Sequence, residues 1–166
     1  MSADDVFFVA GWLLFVLISF HALPSILWLP FRTLTRSARG LPDPDEWPLV
    51  SVIVAARDEE ARAEEALRGL LASDYPQLEI LFANDRSTDS TGEIADRLAT
   101  EDSRLKVLHI EELPDGWLGK TNAMNLAALQ ARGDWLLFTD GDVLIEPGTL
   151  RPVIRFAQAR KLDHFC

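Results

Sequence analysis

Two aspartates separated by a single glycine, Asp140-Gly141-Asp142, follow the apolar run Trp135-Leu-Leu-Phe-Thr139. Carboxylates at that spacing in an extended turn can share one octahedral divalent cation with phosphate oxygens. The glycine lets the backbone approach closely. The same tripeptide is also ordinary surface-turn chemistry, so the pair gains its weight from following what reads as a strongly buried strand. Two other polar runs follow apolar segments in the same way: Ala56-Arg57-Asp58-Glu59-Glu60 and Asn84-Asp85-Arg86-Ser87-Thr88-Asp89. All three runs carry carboxylates. Gathering so much like charge on one rim makes sense if a divalent cation and a phosphorylated ligand sit there.

Single residues in these runs admit more than one reading. Asp85 can accept a hydrogen bond from a nucleobase N–H or a ribose hydroxyl, and it can equally make an Asx turn or cap a helix beside its Ser and Thr neighbours. Asp58 reads first as the cap of the next helix, with Glu59 and Glu60 in the first turn, and second as a rim residue. Arg57 can neutralise phosphate or pair with Glu59 or Glu60. Lys120, in Gly119-Lys-Thr-Asn122, opens a helix, where a cation opposes the helix dipole. A local rule broken without structural gain points to a ligand. Gly-Lys-Thr is not a Walker A loop, because Pro114 stands where that motif needs a glycine and no strand directly precedes it. Trp117 lines the rim or caps its loop, and His109, inside a strand, reads as a satisfied core or edge histidine.

The elements that position these residues alternate. Leu49 to Ala55 is nearly all apolar and β-branched, as in a strand covered on both faces. Leu78–Ala83, Leu105–Ile110 and Trp135–Thr139 are the further strands. Between them fall Ala63, Leu67, Leu70 and Leu71 at helical spacing, a Ser90/Glu93 capping box opening a helix to about Leu98, and Met124, Ala127, Ala128 and Ala131 ahead of Gly133. Leu150, Val153, Ile154 and Ala157 mark a last helix. A β-α-β-α-β-α-β-α order implies an α/β fold with a mainly parallel, Rossmann-like sheet, right-handed crossovers, and ligands beyond the C-terminal strand ends.

Charge excludes one class of partner. The 166-residue chain has 26 acidic and 16 basic residues, a net charge of −10. Nucleic acid is not expected as a partner, since phosphate-backbone binding needs a basic face. A bound diphosphate then needs local compensation from a metal, a lysine or a helix N-terminus. The single cysteine, Cys166, rules out an internal disulfide framework, and His21, His109 and His164 have no zinc spacing.

The excess hydrophobicity is concentrated before Phe31. Val6 to Phe31 holds no Asp, Glu, Lys or Arg, and a spanning helix needs about 20 such residues. Residues 1–31 therefore read as a single-pass transmembrane anchor rather than a signal peptide, because Asp4-Asp5 replaces the expected basic start. Arg32, Arg36 and Arg39 place everything after them in the cytoplasm. Residues 32–48, with Gly40, Pro42, Pro44 and Pro48, read as a linker. The globular part is 49–166.

The runs Val50-Ser-Val-Ile-Val-Ala-Ala-Arg-Asp-Glu-Glu60, Asn84-Asp-Arg-Ser-Thr-Asp-Ser-Thr91, Gly119-Lys-Thr-Asn-Ala-Met-Asn125 and Phe138-Thr-Asp-Gly-Asp142 resemble family 2 glycosyltransferases with the GT-A fold, above all bacterial membrane-bound members including those called hopene-associated. The resemblance covers about Leu49 to the chain end. It implies that Ala55, Ala56 and Asp58 border a nucleobase pocket, that Asp85 contacts the nucleoside, and that Lys120 lies near the nucleotide. It further implies that Asp140 and Asp142 form a D-x-D pair holding Mn2+ or Mg2+ against the diphosphate, with Asp140 also on the donor side. The implied activity is transfer of a sugar from a nucleotide-sugar donor, with a UDP-sugar the first expectation, by inversion, at the bacterial inner membrane, to an acceptor for which a lipid is the expectation by analogy. Asn84 departs from the Asp of many members. The family's general base is expected beyond Cys166, so the chain reads as the incomplete donor-binding part of its domain, and a catalytically inactive, membrane-tethered nucleotide-binding module is the alternative. A haloacid-dehalogenase-type phosphatase, which also uses a strand-terminal D-x-D, is disfavoured by Leu144 and by the motif following the fourth strand rather than the first.

Overall fold

The computed structural model describes residues 40–164. The expected anchor, 1–31, and the start of the expected linker lie outside them. Among the described residues no helix is long and apolar enough to cross a membrane. The chain divides into two units, Pro44–Arg151 and a second made of the segment up to Asp43 with Pro152–Cys166.

In the first unit the elements are β1 (Val50–Ala56), α1 (Ala63–Leu71), β2 (Leu78–Asp85), α2 (Thr91–Glu101), β3 (Leu105–Ile110), α3 (Gly119–Ala128) and β4 (Trp135–Asp140). A last helix, α4 (Leu150–Ala159), begins in this unit and continues into the second. Within the described part of the second unit, Ile154 and Ala157 are buried and Arg155 pairs with Asp43.

The sheet order is β3-β2-β1-β4, and every pairing is parallel. β1 and β2 are central and buried along their whole length, which is why both read as continuous apolar runs rather than alternating ones. Successive side chains point to opposite faces. Ile53, Ala55, Leu81 and Ala83 meet Ala123 and Ala127 of α3 in one core cluster. The opposite pleat carries Val52, Val54, Ile80 and Phe82, all buried, and α2 lies on that side, since its Gly92 closes on Asn84 and His109. The direction of strand addition reverses at β1: β2 and β3 are laid down on one side of it, and β4 on the other. That reversal is the crevice-forming switch point of open α/β sheets.

β4 is not the strongly buried strand that its sequence suggests. Among the described residues it is an edge strand, with Leu136 43 % and Phe138 49 % exposed. The apolar run is real, but α3 covers β1 and β2 and leaves this end of the sheet open. The capping box is also absent. Ser90 is the N-cap of α2 without a side-chain hydrogen bond, and Asp89 takes over, its Oδ1 accepting from Thr91 N at 3.0 Å and Thr91 Oγ1 at 2.5 Å.

The N-terminal end of the sheet is held by a buried carboxylate on β2 and its hydrogen-bond partners. Glu79, 3 % exposed, accepts hydrogen bonds from Ser51 Oγ at 2.6 Å and Arg132 N at 2.7 Å on Oε1, and from Arg132 Nη2 at 2.8 Å on Oε2. Gly133 N in turn donates to Ser51 Oγ at 2.8 Å, and a Cβ at Gly133 would fall 2.5 Å from that oxygen. The cluster thus fixes how the chain leaves α3 and enters β4. Burial alone would raise the Glu79 carboxyl, but the Ser51 and Arg132 hydrogen bonds outweigh it and hold it down to about 2. A carboxyl depressed on folding stabilises the fold above its unfolded value and ceases to do so as pH falls through the folded value. Stability should therefore drop between about pH 4.5 and about pH 2 as this group protonates. Glu79→Ala removes the acceptor of the buried Ser51 hydroxyl and of Arg132 N, and should cost about 1–3 kcal/mol, read from urea unfolding followed by circular dichroism. The acid-side slope attributable to Glu79 should vanish with it.

Candidate functional site

The four strands end on one side of the sheet, and a cleft of about 550 Å3 opens over them. Its floor is the end of β1, where Ala55 and Ala56 are 8 % and 4 % exposed. Small residues are required there because β4 crosses so near. Asp140 pairs with Ala55 in the β1–β4 ladder, Gly141 N donates to Ala55 O at 3.1 Å, and a Cβ on Gly141 would lie 2.6 Å from the Ala56 Cβ. No side chain fits at 141 without displacing β1, so the glycine between the two aspartates is a packing requirement.

Asp140, Gly141 and Asp142 form the β4 wall of the cleft. Asp140 Oδ1 receives Lys120 Nζ at 2.5 Å. Lys120 stands in the first turn of α3, whose backbone N–H groups point toward the strand ends. Its break with the dipole rule is thus answered by a carboxylate on a neighbouring strand.

At the end of β2, Asp85 is buried and gripped by its neighbour. Arg86 Nε donates to Oδ1 at 2.8 Å and Nη2 to Oδ2 at 3.1 Å. Arg86 holds a left-handed φ of 55°, and its N–H bridges toward Asn84 O and Ile110 O, each at 3.1 Å. Gly119, the first residue of α3, packs so closely on this pair that a Cβ would lie 2.4 Å from Asp85 Oδ2. Both aspartate and arginine line the cleft. Neither the Asx-turn nor the capping reading describes Asp85, whose carboxylate is an ion-pair partner facing the ligand space.

Asp58 has a different place. The helix it was expected to cap starts only at Ala63, with Arg62 at the N-cap. Asp58 adopts φ 55° and its Oδ1 accepts Thr88 N at 2.7 Å, while its own N donates to Ser87 Oγ at 3.1 Å. Glu59 N donates to Thr91 Oγ1 at 2.8 Å, Glu60 N to Asp89 Oδ2 at 3.0 Å, and Ser90 N to Glu60 Oε2 at 3.1 Å. The β1 and β2 end loops are zipped together by reciprocal bonds between residues about thirty apart in sequence. Solvent exclusion would raise the Asp89 carboxyl, but the bonds from Thr91 and Glu60 hold it below the usual range. The Asp58 side chain belongs to this latch and does not line the cleft.

His109, on edge strand β3, is satisfied as expected. Its Nε2–H donates to Asp96 Oδ1 at 3.0 Å and its Nδ1 accepts from Asn84 Nδ2 at 3.2 Å. The β3–α3 loop supplies Leu113, Trp117 and Leu118 to the cleft. Sequence reasoning did not single out Arg86, Leu113 or Leu118. Only position distinguishes them: Arg86 directly follows β2, and Leu113 and Leu118 lie in the loop between β3 and α3, Leu118 as the helix N-cap.

The donor set at Asp140 and Asp142 suits a hard divalent cation. Both ligands are carboxylates, and Mg2+-like ions take one or two carboxylates and complete their shell with phosphate oxygens and water. Among the described residues no three His, Cys, Asp or Glu side chains gather into a metal site.

Residues 51–166 match the sequence model of Glycosyl transferase family 2. The chain belongs to that family. The uncharacterized glycosyltransferase EpsJ of Bacillus subtilis (strain 168) is 34 % identical over 116 residues, 70 % of this chain and 32 % of EpsJ. Among solved structures, the mannosyltransferase PcManGT of Pyrobaculum calidifontis, in complex with GDP-Man and Mn2+, superposes with a TM-score of 0.60 at 27 % identity, covering 84 % of this chain and 43 % of that one. TarS 1-349 of S. aureus, in complex with UDP-GlcNAc, gives 0.60 at 30 % identity, covering 68 % and 32 %. The family 2 chain thus spans less than half the length of each of these relatives. Its parallel α/β sheet is that of a GT-A domain.

The latch separates two roles for Asp58. If its carboxylate holds the loops, Asp58→Ala should lower unfolding stability by about 1 kcal/mol. A residue acting as a direct ligand alone would leave the unfolding midpoint in place, which a denaturant titration of the two proteins measures.

Proposed function

We propose that the cleft binds the nucleotide diphosphate of a nucleotide-sugar donor, and that the whole enzyme transfers the sugar to an acceptor. The observation that carries this reading is the seating of Asp140-Gly-Asp142 at the β1–β4 switch point, on the wall of the same cleft as Lys120, Arg57 and the Asp85–Arg86 pair. A diphosphate needs cationic compensation in a chain of net charge −10, and because Glu59, Asp85, Asp140 and Asp142 outnumber Arg57, Arg86 and Lys120 in the cleft lining, a divalent cation would have to supply it.

Asp140 and Asp142 would hold Mn2+ or Mg2+, which when bound acts as a Lewis acid on the departing diphosphate. The chain's own residues do the positioning. Ala55 and Ala56 leave room for the nucleoside over the sheet edge. Asp85, oriented by Arg86, accepts a hydrogen bond from a base N–H or a ribose hydroxyl. Lys120 and the N-terminal N–H groups of α3 face the phosphates. The GDP-Man and Mn2+ of PcManGT and the UDP-GlcNAc of TarS support a nucleotide-sugar ligand, and we take UDP-sugars as the first donors to test. Inversion at the anomeric carbon fits the family resemblance. The uncharged run Val6–Phe31 supports a membrane anchor with the domain on the cytoplasmic face, and with it a lipid acceptor. No residue of this chain is assigned as the general base.

Calorimetric titration of UDP into the full chain in mild detergent tests the reading. Binding should require Mn2+ or Mg2+, and Asp142→Ala should weaken it by about tenfold or more, since even outer-shell changes at metal sites cost that much. Metal-independent binding that Asp142→Ala leaves intact would remove the two aspartates from the site.

A further inference from the structure

The Lys120–Asp140 contact sets up a conflict with the cation just assigned to Asp140. The lysine ammonium lies 2.5 Å from Oδ1, with the two side chains 57 % and 47 % exposed. The lysine gains nothing from its own helix. It stands in the first turn of α3, which has no acidic residue there, and a cation at a helix N-terminus is disfavoured. Its counter-charge is Asp140, reached across the cleft wall from another element. Asp142, by contrast, has no ion-pair partner among the described residues. Of the two carboxylates, one is occupied by a tethered cation and the other is open.

A divalent ion on Asp140 and an ammonium at 2.5 Å from the same oxygen would repel each other strongly. The lysine can yield without any backbone movement, because its charge is a point at the end of a flexible four-carbon stem. It yields into a cleft whose other expected occupant is a diphosphate. We infer that Lys120 is a tethered placeholder for the metal: it neutralises Asp140 when no metal is bound, and the arriving metal releases it to the donor's diphosphate. The inference rests on the cleft being the metal and diphosphate site proposed above.

Two opposed effects follow. Without nucleotide, Lys120 competes with the metal for Asp140. With nucleotide, the released ammonium attracts the phosphates, so metal and nucleotide bind cooperatively, each strengthening the other by the same factor. A residue that only stabilised the fold would produce neither effect. A residue that only bound phosphate would produce the second alone.

The test is Mn2+ binding to the full chain, followed by the electron paramagnetic resonance signal of free Mn2+, with and without UDP. Lys120→Gln removes the competing charge and should also favour the helix, so folding is not at risk. It should bind Mn2+ alone about two- to fivefold more tightly, the scale of an exposed ion pair. The strengthening of Mn2+ binding by UDP should shrink by about tenfold or more, the scale of a hydrogen bond to a charged group. Lys120→Arg, which keeps the charge, should bind Mn2+ alone as the native chain does. If the native chain binds Mn2+, Asp142→Ala does not, and Lys120→Gln is unchanged or weaker without UDP, the placeholder role is overturned while the metal site stands. If a folded native chain binds no Mn2+ with or without UDP, the metal site itself fails and the inference falls with it.

Discussion

Parallel pairing of β4 with β1, in the register that sets Asp140 beside Ala55, is the constraint on which the rest of the site depends. It places two aspartates at the strand ends beside β1, where the order of strand addition reverses. The approach is so close that position 141 must be glycine and position 56 must be small. Shift the register by one residue and Asp140 turns to the opposite face, away from the cleft and from Lys120. The Glu79–Ser51–Arg132 cluster at the far end of the strands guards that register, since it ties the turn into β4 to both β1 and β2. One end of the sheet is held by a buried, fully hydrogen-bonded carboxylate, and the other presents partly exposed carboxylates.

Charge is divided along the same axis. At the closed end, Glu79 is fully satisfied and has no freedom to bind anything else. At the open end the pairings are looser. Asp85 is gripped through one arginine, Asp140 through one lysine, and Asp142 has no ion-pair partner among the described residues. Such partial neutralisation lets an acidic chain keep several carboxylates near one another and still receive a polyanionic ligand once a cation arrives.

Much of this was legible in the sequence, and the exceptions share a cause. The two central strands were readable because burial on both faces leaves an unbroken apolar run. The three polar runs at strand ends were readable because a parallel α/β order sends all such ends to one side. The errors came where a short polar side chain had a choice of partners. Asp58 and Ser90 carry local capping signatures, yet their loops bond to each other across thirty residues of sequence, and such pairing leaves no local periodicity to read. The apolar composition of β4 suggests a buried strand. Its edge position follows from strand order, which the sequence does not show. The grip of Arg86 on Asp85 was hidden for a similar reason, since it depends on a left-handed backbone at a non-glycine residue.

The central claim is that the β1–β4 switch point, with α3 beside it, holds a metal and a nucleotide together. Its most direct test is paramagnetic broadening in 15N spectra of the full chain as Mn2+ is added with UDP. Amide signals of Ala55 to Arg57, Gly119, Lys120 and Asp140 to Asp142 should disappear first, while those of Glu79, Arg132 and Gly133 at the opposite end stay sharp. Broadening centred elsewhere, or none at these residues in a folded chain, would contradict the account.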